Sequence, residues 1–120
     1  MNKDILIAEF MSEPSKGSAY STDSNCIMPV VEKIESLDLS EWMYSWEDMD
    51  GETRYNFEGI SVEIEHNKCW IYINLSLDPY WTINENTFKI RYETKLQAVY
   101  ESVVEFIEWY NERKQREEGN

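Results

Sequence analysis

His66 and Cys69 are the residues of this 120-residue sequence that come closest to nucleophilic chemistry, since an imidazole three positions from a thiol could draw off its proton. The local pattern argues against it. His66-Asn67-Lys68 reads as a tight turn, and Cys69 opens a strand whose alternation points the thiol inward. No carboxylate is fixed nearby to orient the ring as a triad requires. The expectation is a solvated turn histidine and a buried, reduced thiol. As the only histidine, His66 also rules out a histidine-rich metal site, and Cys26 and Cys69 form no CxxC pair. Asp48, Asp50 and Gly51 fit positions three, five and six of a calcium loop, but Trp46 falls at position one and Phe57 at position twelve. The segment reads as a hairpin turn built on Asp-Gly. With 24 acidic residues, any carboxylate pair is uninformative for glycoside chemistry until its separation is known. Gly17, Gly51, Gly59 and Gly119 lie too far apart for a phosphate-cradling loop. The reading is a protein that is not an enzyme and takes no metal or cofactor.

Charge narrows the classes further. Eleven Lys and Arg against 24 Asp and Glu give a net charge of -13. A generic nucleic-acid binder needs a basic face, and an anionic membrane surface would repel this chain. No run of about 18 apolar residues is present to span a bilayer. Asp4 and Glu9 interrupt the short apolar stretch at the start, which does not read as a secretory signal, so the cytoplasm is the expected compartment. The 42% hydrophobic and 14% aromatic content suits a folded domain, and the length suits one domain over 1–120.

Residues 4–11 carry Ile5, Leu6, Ile7, Phe10 and Met11 at a spacing that allows a short helix or a strand. Residues 12–25 read as a loop, rich in Ser with Pro14 and Gly17. A helix follows over 26–37, with Ile27, Val30, Val31, Ile34 and Leu37 on one face. Pro29 is expected in its first turn, which sets the start at 26–28. An antiparallel sheet of three to five strands comes next: 41–46, 53–57, 60–65, 69–75 and a short last strand over 87–92, with Gly59 marking a bulge. Thr94-Lys95-Leu96-Gln97 is a capping box opening a long C-terminal helix, and residues 117–120 are expected to fray. The order implies an α+β fold, in which Ile60, Val62, Ile64, Ile71 and Ile73 pack against both major helices.

Two surface features remain. Between Glu32 and Glu65 eleven acids face only Lys33 and Arg54, an excess of nine negative charges suited to basic protein surfaces. The same density would also serve a merely solvated face. If Cys69, Ile71 and Ile73 point in, Trp70 and Tyr72 point out beside Glu63 and Glu65. Rings next to carboxylates suit arginine-bearing partners, unless the N-terminal segment or the 12–25 loop covers them.

The stretches Tyr20–Glu35 (YSTDSNCIMPVVEKIE) and Thr94–Asn111 (TKLQAVYESVVEFIEWYN) resemble segments of small phage and prophage proteins of Bacteroidetes-type bacteria. The layout also looks like that of the phage ABA-sandwich proteins. The resemblance implies a small accessory protein acting in the bacterial host's cytoplasm, with no activity to transfer. Combined with the acidic excess, it leads to the expectation of an anti-defence protein. Such a protein would bind and inhibit a basic host protein, such as a CRISPR or restriction nucleic-acid enzyme, its carboxylates standing in for phosphates. The expected carriers are Glu47, Asp48, Asp50, Glu52, Glu63 and Glu65, with Trp46, Trp70 and Tyr72 as anchors. The alternatives are a small-ligand protein that stacks a nucleotide base on its aromatics, and a structural accessory protein. The first is weakened by a 12–25 loop whose only cation is Lys16.

Overall fold

The computed structural model describes residues 2–12, 20–41, 56–76 and 80–118. Trp46, Glu47, Asp48, Asp50 and Glu52 lie outside them, as do the expected strand over 41–46 beyond Glu41, residues 53–55 of the one over 53–57, and residues 13–19 of the 12–25 loop. The described elements run α1 (Lys3–Phe10), α2 (Ser24–Ser36), β1 (Phe57–Glu65), β2 (Lys68–Leu75), β3 (Tyr80–Thr82) and α3 (Lys95–Glu118). The fold is α+β. Its described sheet has three antiparallel strands in the order β1-β2-β3.

The first segment resolves as a helix. Asn2 caps it by accepting from the N–H groups of Asp4 and Ile5 at 2.8 and 3.4 Å. In α2, Asp23 is the cap and the helix starts at Ser24, earlier than the 26–28 expected. Pro29 therefore sits in the second turn. Its missing N–H leaves the Asn25 carbonyl without an intrahelical donor, which is cheap because Asn25 is exposed to water. At the other end of the chain the Thr94 hydroxyl accepts from the Gln97 N–H at 3.0 Å, while the Gln97 side chain reaches back to the N–H of Glu93 rather than Thr94. Helix α3 continues to Glu118, so the expected fraying at 117 and 118 is replaced by helix.

β1 and β2 form the expected hairpin, with Val62 opposite Ile71 and Glu63 opposite Trp70. The register shifts between Phe57 and Gly59, where Gly59 adopts φ +144°, a conformation that disfavours a side chain. Helix α2 packs on β1 and α3 on β2, while α1 packs on α3. Ile60, Ile71 and Ile73 are buried in the core with Ile27, Ile34, Val103, Phe106 and Ile107. Val62 and Ile64 are half-buried against it. Two side-chain bonds tie α1 to α3: Lys3 to Glu101 at 2.9 Å, and the Tyr100 hydroxyl to Asp4 at 2.9 Å. The Lys33 ammonium donates to the Phe10 carbonyl and lies over the Phe10 ring, joining α2 to α1.

The expected strand over 87–92 does not form. Residues 85–89 are turns, and the third strand is instead β3, which pairs Trp81 with Ile73. The cause is Asn84, which is fully buried. Its side-chain carbonyl accepts from the Ile71 N–H at 2.8 Å, supplying the partner a further strand residue would have given. Its amide nitrogen donates to the Cys69 carbonyl at 2.9 Å and the Ser102 hydroxyl at 3.0 Å. The Asn84 carbonyl then accepts from the N–H groups of Thr87 and Phe88, which curls the chain out of the ladder.

Candidate functional site

The sheet has two unlike faces. Helices cover one. On the other, β2 places Trp70 and Tyr72, β1 places Glu63 and Glu65, and β3 places Tyr80 and Thr82. Four sequence-predicted residues, Glu63, Glu65, Trp70 and Tyr72, thus share one face. Their rings are half-buried, but neither α1 nor, among its described residues, the 12–25 loop is what shields them. Trp70 lies 4.2 Å from Tyr72, 5.3 Å edge-on from Tyr80 and 6.4 Å from the nearly parallel Phe88 ring. The Trp70 indole N–H donates to the Thr82 hydroxyl at 2.9 Å, which fixes the ring. The Tyr72 hydroxyl donates to the Glu63 carboxylate at 2.8 Å. That bond, with a smaller effect of desolvation, holds the Tyr72 phenol above the usual tyrosine value.

The Trp70, Tyr80 and Phe88 rings line a groove of about 630 Å³ between the β1–β2 turn and the segment after Asn84; Tyr72 lies outside its lining. Glu63, Glu65, Lys68, Lys89 and Arg91 line it together, with Lys68 opposite Glu65 in the strand register. None of the three cations has an ion pair or hydrogen bond among the described residues; Lys89 lies 5.7 Å from the Phe88 ring centroid. Lys68, Tyr80, Phe88, Lys89 and Arg91 are not among the site residues that the sequence points to. An expected strand over 87–92 spread the last three on two faces, and Tyr80 lay between predicted elements. The turn after Asn84 is what gathers them.

The wall of the groove is held from behind. Glu105 of α3 accepts from the Thr87 N–H at 3.0 Å, the Thr87 hydroxyl at 2.9 Å and the Asn86 side chain at 2.8 Å. At the far end the Tyr92 N–H donates to the Asn67 carbonyl at 3.1 Å, and the Asn67 amide donates to the Glu93 carbonyl at 3.2 Å. The segment is pinned at both ends, so the groove is largely pre-formed, as ligand sites usually are.

His66 stands at the groove mouth, exposed, with φ +54° in the turn. Cys69 is buried beneath, and burial pushes its thiol up to about 11, against a smaller lowering by the Ser102 hydrogen bond. It is a protonated core thiol and not a thiolate nucleophile. Among the described residues no three metal-ligating side chains gather. No described helix is long and apolar enough to cross a membrane. A second groove, about 760 Å³, lies between α1 and α3 around Leu6, Val104, Glu9 and Glu108, and no aromatic ring lines it. Comparisons with protein-family models, curated proteins and solved structures return no significant match.

Proposed function

We propose that the chain is a non-enzymatic binding protein whose aromatic groove takes a small planar anion of the nucleotide class. The observation that carries this reading is the convergence of Lys68, Lys89 and Arg91, none with an ionic partner among the described residues, on the Trp70 and Phe88 rings of a chain whose net charge is -13. Cations beside stacked rings suit a ligand with a flat π-system and a phosphate. The volume falls in the usual range of about 300–1,000 Å³ for small-ligand sites. The shortage of cations in the 12–25 loop does not weigh against it, because these cations come from β2 and the segment after β3. The test is calorimetric titration with nucleoside monophosphates. The Lys89→Gln/Arg91→Gln double variant is expected to lose about tenfold or more in affinity with its thermal stability intact. Unchanged affinity contradicts the reading.

A second reading is favoured by a separate observation. Glu32, Glu35, Glu41 and Glu58 are exposed and have no ion pair among the described residues, while Lys33 is engaged with Phe10. A surface of this kind suits the phage-type accessory role, in which the protein occupies the nucleic-acid groove of a basic host enzyme in the bacterial cytoplasm. Pull-down from host lysate, washed at low and then high salt, tests it. One basic nucleic-acid enzyme released by salt supports the role, and recovery of the bait alone opposes it. Changing Asp48, Asp50 and Glu52 to their amides is expected to weaken such a complex and flatten its salt dependence.

A further inference from the structure

The groove brings carboxylates of β1 together with cations of β2 and of the segment after β3, and these ask for different things of one ligand. Lys68, Lys89 and Arg91 supply donors and positive charge. Glu63 and Glu65 are acceptors only. Trp70 of β2 stands opposite Glu63 in the register, and its ring is nearly parallel to that of Phe88, which precedes Lys89, at an interplanar angle of 26°. A ligand that satisfies the whole groove must carry an anion, a flat ring and an edge with adjacent donors.

The two carboxylates are not equivalent. Glu63 is occupied by the Tyr72 hydroxyl. Glu65 is exposed and has neither a hydrogen bond nor an ion pair among the described residues, although Lys68 stands opposite it in the strand register. Nothing among the described residues occupies either Glu65 oxygen. Among the common bases only guanine offers two adjacent donors, N1–H and N2–H, on its Watson–Crick edge. Adenine and cytosine set a ring-nitrogen acceptor beside the amino group, and uracil flanks its single N–H with two carbonyls. Each would turn a lone pair toward the carboxylate.

We infer that the groove selects a guanine nucleotide, with the base stacked against Trp70 and Phe88, its donor edge on Glu65, and its phosphate at Lys89 and Arg91. This rests on the reading of the groove as a nucleotide site and adds which base it takes. A carboxylate accepting two N–H groups in parallel discriminates through the lone-pair repulsion it imposes on the other bases as much as through its own attraction.

The experiment is isothermal titration of the full chain with GMP, AMP, CMP and UMP, on the native protein and on Glu65→Gln. Native protein is expected to bind GMP about tenfold or more tighter than the other three, and Glu65→Gln to bring all four within about threefold. Retention of the GMP preference in Glu65→Gln overturns the assignment of Glu65. Equal binding of all four by the native protein overturns guanine selection and leaves the planar-anion reading standing. No heat with any of them at millimolar concentration overturns both. Glu63→Gln serves as the control, since its amide oxygen still accepts from Tyr72, and it is expected to keep the preference.

Discussion

The two faces of β2 are built from alternate residues of one strand, yet their polar groups are treated in opposite ways. On the helix side, Cys69, Ile71 and Ile73 are buried, and Asn84 satisfies the backbone of Ile71 and Cys69 together with the Ser102 hydroxyl. On the outer side, Trp70 and Tyr72 are half-covered by neighbouring rings, and the cations around them have no ionic partner among the described residues. The inner face is spent on folding. The outer face holds its rings in place and leaves the cations beside them without an ionic partner among the described residues, as the proposed binding role requires.

The contrast can be broken most severely from the inside. Asn84→Ala strands the Ile71 N–H in the core and leaves the Cys69 carbonyl with only the 3.4 Å bond from the Ser102 hydroxyl, and is expected to cost about 3 kcal/mol in urea denaturation. Ligand affinity should fall with it, because the turn that carries Phe88 and Lys89 starts at Asn84. Next comes pH. The Cys69 thiol titrates near 11 in the folded chain, above its ordinary value, so the folded state holds this proton longer than the unfolded state does. Stability from this group is complete below about pH 8.5–9 and is lost as pH rises toward 11, by of order 2 kcal/mol. Denaturation curves across that window check it, with Cys69→Ala removing this part of the slope. Glu105→Gln weakens the clamp on Asn86 and Thr87 and should cost about 1–2 kcal/mol, with a parallel loss of affinity. The smallest effect on stability, about 1 kcal/mol, is expected for Trp70→Ala, which leaves the helix-side packing alone. That variant sharpens the comparison, because its nucleotide binding should vanish while the fold persists.

Much of this architecture is legible in the sequence because it follows from periodicity. The clean alternation of 60–65 and 69–75 gives both the hairpin and the side on which Trp70 and Tyr72 stand. The spacing of Leu96, Val99, Val103, Phe106 and Ile107 gives α3 and its buried stripe. What escapes pattern reading is decided by single side chains at long range. Asn84 looks like any loop asparagine, and nothing local shows that it lies under Ile71 or that Glu105, 18 positions beyond Thr87, bonds that turn. The cost of that omission is specific: with 87–92 taken as a strand, Phe88, Lys89 and Arg91 were not gathered, and the acids were read without the cations beside them. Pro29 misled for a related reason, since an exposed carbonyl tolerates what a buried one would not.

One measurement addresses the division of labour between the faces directly: a proton–nitrogen NMR titration of the labelled chain with GMP. The account predicts that the Trp70 indole N–H and the backbone amides of Lys68, Lys89 and Arg91 shift, while the indole of Trp109, packed on Trp81 beneath the sheet, stays in place. Shifts confined to the groove between α1 and α3, or none at millimolar GMP, would contradict it.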